Sequence, residues 1–67
     1  MTPEKWINEN RVQRRMTIKE LSERAGIKYQ SLQRALSGKG RINLLDYLRL
    51  CVLLDLDPRG YRAEITA

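Results

Sequence analysis

Apolar residues recur at helical spacing in short stretches along the chain, and residues that favour helix ends separate these stretches. Thr2 followed by Pro3 is typical of an N-cap with proline at the first helical position, where its missing N–H costs nothing. The pattern predicts a first helix over residues 3–14 or 3–15. Its expected contribution to a core is small and consists chiefly of Trp6 and Val12.

A capping box predicts the start of a second helix. Thr17 and Glu20 have the spacing at which the hydroxyl and the carboxylate each accept a hydrogen bond from an orphan backbone N–H. Leu21 and Ala25 then recur at helical spacing, and Gly26 supplies the positive φ that ends a helix. The second helix should therefore be only about eight residues long.

Two further helices are predicted after a short turn. Ile27, Leu32 and Leu36 are apolar among polar neighbours, until the segment 37–40 (Ser-Gly-Lys-Gly) breaks the pattern. Asn43 then caps a fourth helix. The residues expected on its apolar face are Leu44, Tyr47, Cys51 and Leu54.

The end of the chain carries weaker signals. Asp57 and Pro58 repeat the cap-plus-proline signal, which predicts a short fifth turn that ends at Gly60. Residues 61–66 alternate apolar and polar positions, which fits a short C-terminal strand and equally a frayed tail.

Length and composition limit the fold and the chemistry. Sixty-seven residues, 42% hydrophobic and 31% charged, predict one globular domain. The helical patterns above make this an all-α domain, with a core over residues 3–57 and a tail over 58–67. With no His and one Cys, the chain lacks the residues for most metal sites, any disulfide framework or a His-based nucleophile. We therefore expect no enzyme, no cofactor and no small-molecule ligand.

The apolar runs are too short for a membrane protein. The longest is the five-residue run 50–54, and the N-terminus lacks the apolar stretch of a secretory signal. Cys51 within this run is expected to be a buried free thiol, which fits a reducing compartment. We therefore expect a cytoplasmic protein.

Positive charge is concentrated in the middle of the chain. The net charge is +5, but residues 11–41 hold nine basic and two acidic side chains, so this segment carries +7 and the remainder −2. Such a distribution favours binding to a polyanion through the second and third predicted helices.

These two helices and the turn between them have the layout of a helix-turn-helix. Counted from Ile18, Leu21 is at the fourth position, the small Ser22 at the fifth, Gly26 at the ninth and Leu32 at the fifteenth. The small residue lets the helices approach closely, the glycine makes the turn, and the leucine fills the space between them.

From about Val12 to Leu56 the sequence resembles the phage lambda-repressor and Cro-like helix-turn-helix family. The resemblance implies a compact four- or five-helix fold that binds a pseudopalindromic operator in double-stranded DNA as a homodimer and regulates or represses transcription. The matching residues are Met16-Thr17, Leu21, Gly26-Ile27, Ser31-Leu32, Ser37-Gly38-Lys39 and the leucine-rich fourth helix.

The resemblance also implies roles for individual residues at the DNA. The residues expected at or near base edges are Lys28, Tyr29, Gln30, Ser31, Gln33 and Arg34. Gln30 suits adenine and Arg34 suits guanine, because each can form a bidentate pair with that base. Tyr29 packs on a thymine methyl, bonds a phosphate, or only covers the surface of the third helix. The groups expected at phosphates are Arg15, the Thr17 hydroxyl, the backbone N–H of Ile18, Lys39 and Arg41.

Two positions near the motif depart from the family pattern. Lys28 stands where the family usually has a Ser or Thr cap, which should cost the third helix about 1 kcal/mol unless DNA contacts compensate. Leu36 replaces a Glu that often pairs with an Arg of the first helix. Arg11 therefore lacks its usual partner and either pairs with another carboxylate or faces DNA.

The fourth helix is more apolar than one core requires. Leu45, Val52 and Leu53 occupy positions that are usually polar in the family, and the first two adjoin Leu48 on the helix surface. Exposed apolar patches often mark interfaces, which favours a homodimer. The residues predicted for the interface are Leu45, Leu48, Val52, Tyr61 and Ile65. The alternative is that the tail folds back over the fourth helix within one chain.

Together with these patterns, the resemblance implies a small phage, prophage or mobile-element repressor that reads DNA sequence, located in the bacterial cytoplasm or nucleoid, or in the host cytoplasm if a phage encodes it. The alternative from another class is a protein-interaction module, antitoxin-like or an adaptor, which keeps the helix-turn-helix as a scaffold and binds a protein through the fourth helix. The exposed face of the third helix favours the first hypothesis, because it is polar and basic, whereas a protein-binding groove favours aromatic and aliphatic residues. Membrane-surface binding is not expected, since no helix combines a basic face with a broad exposed apolar one.

Overall fold

The computed structural model describes residues 2–61, and these form four α-helices without a strand. The helices are α1 (Pro3–Gln13), α2 (Ile18–Ala25), α3 (Tyr29–Leu36) and α4 (Leu44–Leu53). The predicted all-α fold is confirmed. The predicted short fifth turn is present, closed by a 2.8 Å bond from the Gly60 N–H to the Asp57 carbonyl. The alternating segment, beyond Tyr61, lies outside the described residues.

The helix starts follow the predicted capping residues. The Thr2 hydroxyl accepts from the Lys5 N–H at 3.1 Å, and the Asn43 side chain accepts from the Asp46 N–H at 2.8 Å. α2 has the predicted capping box. Lys28, at the start of α3, makes no side-chain capping bond, as its residue type predicts.

All four helices end in a Schellman motif, in which a residue with positive φ lets the following N–H bond back to a carbonyl of the last turn. The residues with positive φ are Arg15 (55°), Gly26 (69°), Gly38 (84°) and Asp55 (56°). The closing bonds run from the N–H of Met16, Ile27, Lys39 and Leu56 to the carbonyls of Arg11, Ser22, Arg34 and Cys51. Two of the four motifs therefore place a side chain in a conformation that favours glycine.

The core forms where the four helices meet. Its fully buried side chains are Ile7, Leu21, Leu32, Leu50, Cys51 and Leu54. Cys51 is a buried free thiol, as predicted. Burial raises the pKa of this thiol above its ordinary value of 9.0, so it stays protonated at neutral pH.

Two predicted core residues are exposed instead. Val12 is 55% exposed, because Ile7 is the residue of α1 that enters the core and Val12 lies about 140° from it around the helix. Leu44 is 73% exposed. It is the first residue of α4, and helical side chains tilt towards the N-terminus, so it points past the end of the helix.

An aromatic cluster holds the C-terminal turn against α1 and α4. The Tyr47 ring lies 6.4 Å from that of Trp6 and 6.4 Å from that of Tyr61, and its hydroxyl donates to the Pro58 carbonyl at 2.7 Å. Gly60 fits beside the Trp6 ring, where an added Cβ would lie 3.0 Å from Cζ2. Tyr61, predicted for a dimer interface, thus packs edge-on against Tyr47 within its own chain.

Candidate nucleic-acid interface

α3 presents a polar face to solvent. Its buried residues, Leu32, Ala35 and Leu36, fix one side of the helix against the core. At 100° per residue, Gln30 and Arg34 lie nearly opposite the centre of this buried side. All six side chains predicted at base edges, namely Lys28, Tyr29, Gln30, Ser31, Gln33 and Arg34, are exposed.

Within residues 2–61 these six side chains form no hydrogen bond or ion pair with the rest of the chain. Their donors and acceptors are therefore available to a ligand. Close to them, Gln33, Arg34, Ser37 and Lys39 line an open cleft of about 230 Å³ at the C-terminal end of α3. The cleft connects the outward face of α3 with a basic residue of the following loop.

The start of α2 lies beside Arg15, one of the residues predicted at phosphates. The Thr17 hydroxyl is exposed but already serves as a cap, accepting from the Glu20 N–H at 3.0 Å. The Glu20 carboxylate accepts from the Thr17 N–H at 3.3 Å. Ile18 is half-buried, and its backbone N–H is among those that a helix start leaves without an intrahelical acceptor.

Arg11 has a partner that the sequence did not indicate. Its guanidinium donates to the Met16 carbonyl at 2.6 Å and to the Asn8 side-chain oxygen at 2.9 and 3.1 Å. Neither partner is a carboxylate, so the charge of Arg11 is not neutralised within this group. Leu36, at the position of the missing Glu, is buried in the core.

The loop between α3 and α4 carries Lys39 and Arg41, which are both exposed. The Lys39 N–H closes the Schellman motif of α3 on the Arg34 carbonyl at 2.8 Å. Further along, the Ile42 N–H donates to a carboxylate oxygen of Glu4 at 2.9 Å. The loop is thus attached to α3 at one end and to the first turn of α1 near the other.

A family model described as helix-turn-helix matches residues 7–61 of the chain. The chain belongs to the lambda-repressor/Cro-like helix-turn-helix family. The protein is accordingly a DNA-binding regulator of the helix-turn-helix type. Comparisons with curated proteins and with solved structures found no significant match.

The helix-turn-helix domain also exposes an apolar stripe on α4. Its members are Leu44 (73% exposed), Leu45 (59%), Leu48 (39%) and Val52 (79%). They span about 100° of the helix surface next to the buried face. The stripe therefore contains three of the residues predicted for an interface. Ile65, also predicted for it, lies outside the described residues.

No helix in the described part of this helix-turn-helix domain is long and apolar enough to cross a membrane. Residues 2–61 also contain no group of three or more side chains placed to hold a metal ion.

The sequence indicated the exposed residues of the helix-turn-helix domain but missed two polar residues that support them. Neither Glu4 nor Asn8 was predicted from the sequence to have a role. Glu4 accepts from the Ile42 N–H, a backbone group 38 residues away. Asn8 accepts from the Arg11 guanidinium, which lies one helical turn away. The spacing of Asn8 and Arg11 is that of neighbours on a helix surface, which could have suggested their contact.

Proposed function

We propose that the protein is a sequence-specific repressor that inserts α3 into the major groove of double-stranded DNA. The observation that supports this most is the exposed, unpartnered polar face of α3 within residues 2–61. A polar face without internal partners suits base edges, whose donors and acceptors are themselves exposed in the major groove. It does not suit a protein-binding groove, in which apolar anchors dominate.

Base reading falls chiefly to Gln30 and Arg34. They lie farthest from the core on α3, and their side chains have the donor and acceptor geometry for adenine and guanine respectively. Lys28, Ser31 and Gln33 lie beside them at or near base edges. Tyr29 is about half exposed and contacts a thymine methyl or a phosphate.

Phosphate contacts on both sides of α3 fix the register of the protein on DNA. Arg15, the Thr17 hydroxyl and the Ile18 N–H approach one strand from the start of α2. Lys39 and Arg41 approach from the loop after α3. This proposal is supported by their exposure and by the positive charge of residues 11–41.

The functional unit is a homodimer formed through the apolar stripe of α4. A two-fold interface must be self-complementary, and an apolar stripe meets this condition because it can pack against its own copy. The proposal is supported by the exposure of the stripe, since exposed apolar patches often mark interfaces. A dimer also places two copies of α3 about 34 Å apart, one turn of DNA.

The mechanism is occlusion, in which the bound dimer covers a promoter and excludes polymerase. The resemblance to phage repressors supports an origin in a phage, prophage or mobile element and action in the bacterial cytoplasm. The protein acts without catalysis, cofactor or small-molecule ligand, so that its concentration and its affinity for the operator set the response.

A salt titration of DNA binding tests the phosphate contacts. The logarithm of the binding constant for a mixed-sequence duplex should fall linearly with the logarithm of salt concentration. Lys39→Ala and Arg41→Ala should each reduce the slope by about 0.9, and Arg59→Ala, at an exposed position of the C-terminal turn, should leave it unchanged. An unchanged slope in both loop variants would refute the proposed phosphate contacts.

Sedimentation equilibrium tests the dimer and separates the two classes of function. The wild-type protein should be dimeric at micromolar concentration, and Val52→Glu should be monomeric. Val12→Glu is the matched control, because it places the same charge at another exposed valine. If the wild-type protein is a monomer, the homodimer is refuted. The apolar stripe of α4 would then be available to bind a different protein, as the alternative of a protein-interaction module requires.

A further inference from the structure

The segment 40–42 carries Arg41, and the half-buried Ile42 side chain packs it against the core, whereas its backbone makes few hydrogen bonds. The hydrogen bonds of residues 37–39 return to α3, and the Asn43 side chain belongs to the N-cap of α4. Among residues 2–61, segment 40–42 makes one hydrogen bond, from the Ile42 N–H to Glu4 Oε2 at 2.9 Å. An ionised carboxylate is a strong acceptor, so this bond restrains the backbone of the loop.

On the side of α1, packing does not add to the hydrogen bond between the Ile42 N–H and Glu4. An open cleft of about 320 Å³ separates the first turns of α1 from the end of α3 and the start of the loop. Its lining residues include Glu4 and Asn8 on one side, and Ser37 and Gly38 on the other. The carboxylate of Glu4 therefore reaches the loop beside an open space.

We infer that Glu4 is a positioning residue for DNA binding, which holds the backbone of segment 40–42 so that Arg41 meets a phosphate. The inference rests on the proposed phosphate contact of Arg41. The negative charge of Glu4 would itself oppose binding to DNA, so its contribution comes through the hydrogen bond. α1 thereby helps to set the affinity for DNA without touching it.

Three variants separate this role from simple charge. Glu4→Ala removes the acceptor, Glu4→Gln keeps an oxygen that can accept from the Ile42 N–H, and Glu9→Ala removes an exposed negative charge elsewhere on α1. We expect Glu4→Ala to reduce the slope of the salt titration by about 0.9, as Arg41→Ala does. Glu4→Gln and Glu9→Ala should keep the wild-type slope.

A double-mutant cycle then tests whether Glu4 acts through Arg41. In the Arg41→Ala background, Glu4→Ala should have no further effect on the slope. Amide hydrogen exchange of Ile42 provides a second readout, which should accelerate in Glu4→Ala and stay slow in Glu4→Gln. Thermal unfolding of each variant shows whether it is folded, and if Glu4→Ala is not, Glu4→Met, which keeps the side-chain volume but lacks the acceptor, takes its place with the same expected results.

The possible failures are distinct. If Arg41→Ala itself keeps the wild-type slope, the proposed phosphate contact is wrong and the inference fails with it. If Arg41→Ala lowers the slope but Glu4→Ala does not, or if the two effects add, only the role of Glu4 is refuted. A reduced slope of the salt titration in Glu4→Gln, together with slow amide hydrogen exchange at Ile42, would also refute the role of Glu4.

Discussion

The guanidinium of Arg11 donates to the carbonyl oxygen of Met16 at 2.6 Å, while the Arg11 carbonyl accepts from the Met16 N–H at 3.2 Å. One residue of α1 thus holds both backbone polar groups of the residue that precedes the Thr17 cap. Asn8 fixes the guanidinium from the other side, accepting from Nη2 at 2.9 Å. The turn that leads into the helix-turn-helix is therefore fixed from α1.

Arg11→Met should lower the free energy of unfolding by about 1 to 2 kcal/mol, because the Met16 carbonyl and Asn8 lose a charged donor. Arg11→Lys should recover only part of this loss, since an ammonium cannot reproduce the planar fork. Arg14→Met is the control, because Arg14 is exposed and, within residues 2–61, its side chain bonds only to Asn10. Urea unfolding measures all three, and equal stability of Arg11→Met and wild type would contradict the account.

Glycine substitutions in the two Schellman motifs that lack glycine should stabilise the protein. Arg15 and Asp55 adopt φ of 55° and 56°, a conformation that costs a side chain about 1 kcal/mol or more. Asp55→Gly and Arg15→Gly should each raise the free energy of unfolding by about 1 kcal/mol. Only Arg15→Gly should weaken DNA binding, because only it removes a proposed phosphate contact.

The matched controls are Gly26→Ala and Gly38→Ala, which should destabilise the protein. An added Cβ at either position meets no atom within 4 Å, so the loss would come from backbone conformation alone. Chemical denaturation gives the four values. Lower stability of Asp55→Gly than of wild type would contradict the assigned cost of positive φ.

The order of the helices could be predicted because each boundary depends on residues close in sequence. The capping pairs at Thr2, Thr17 and Asn43 and the glycine at position 26 act over three or four residues. Non-glycine residues at the ends of α1 and α4 gave no such signal. Which apolar residues enter the core depends on contacts between helices, and this is why Ile7 was overlooked in favour of Val12.

Lys28→Ser should stabilise the protein by about 0.5 to 1 kcal/mol, because a serine at this position can accept an N–H from the first turn of α3. Lys28 itself makes no such bond. Asn43→Ala is the opposite test and should cost about 1 kcal/mol, since it removes the 2.8 Å bond from the Asp46 N–H. Thermal unfolding would measure both, and no gain for Lys28→Ser would show that the start of α3 is already satisfied.

The candidate site was predictable for the residues that face outward and less so for those that support them. The exposure of Gln30 and Arg34 follows from the apolar pattern of α3, because a helix that buries one side against the core exposes the opposite side to solvent. The contacts of Glu4 and Arg11 with backbone groups of loops depend on the packed arrangement of the helices. Local pattern carries no information on such contacts.

Burial and the neighbouring Cys51 thiol raise the pKa of Tyr47 above its ordinary value of 10.0. Because the folded-state pKa is the higher one, the neutral ring stabilises the native state fully below pH 10, and this contribution is lost as pH rises further. The free energy of unfolding should therefore fall above about pH 10. Tyr47→Phe should be less stable at pH 7, through loss of the bond to Pro58, but should show a shallower fall. An equally steep fall in both proteins would contradict this origin.

The central claim is that Gln30 and Arg34 read base edges, and selection of bound duplexes from a random DNA pool tests it most directly. The wild-type protein should enrich two symmetric half-sites about one helical turn apart. Arg34→Ala should lose the preference for one G·C pair in each half-site, and Gln30→Ala the preference for one A·T pair, while the other positions are retained. Enrichment of the same motif by wild type and both variants, or of no motif by wild type, would contradict the claim.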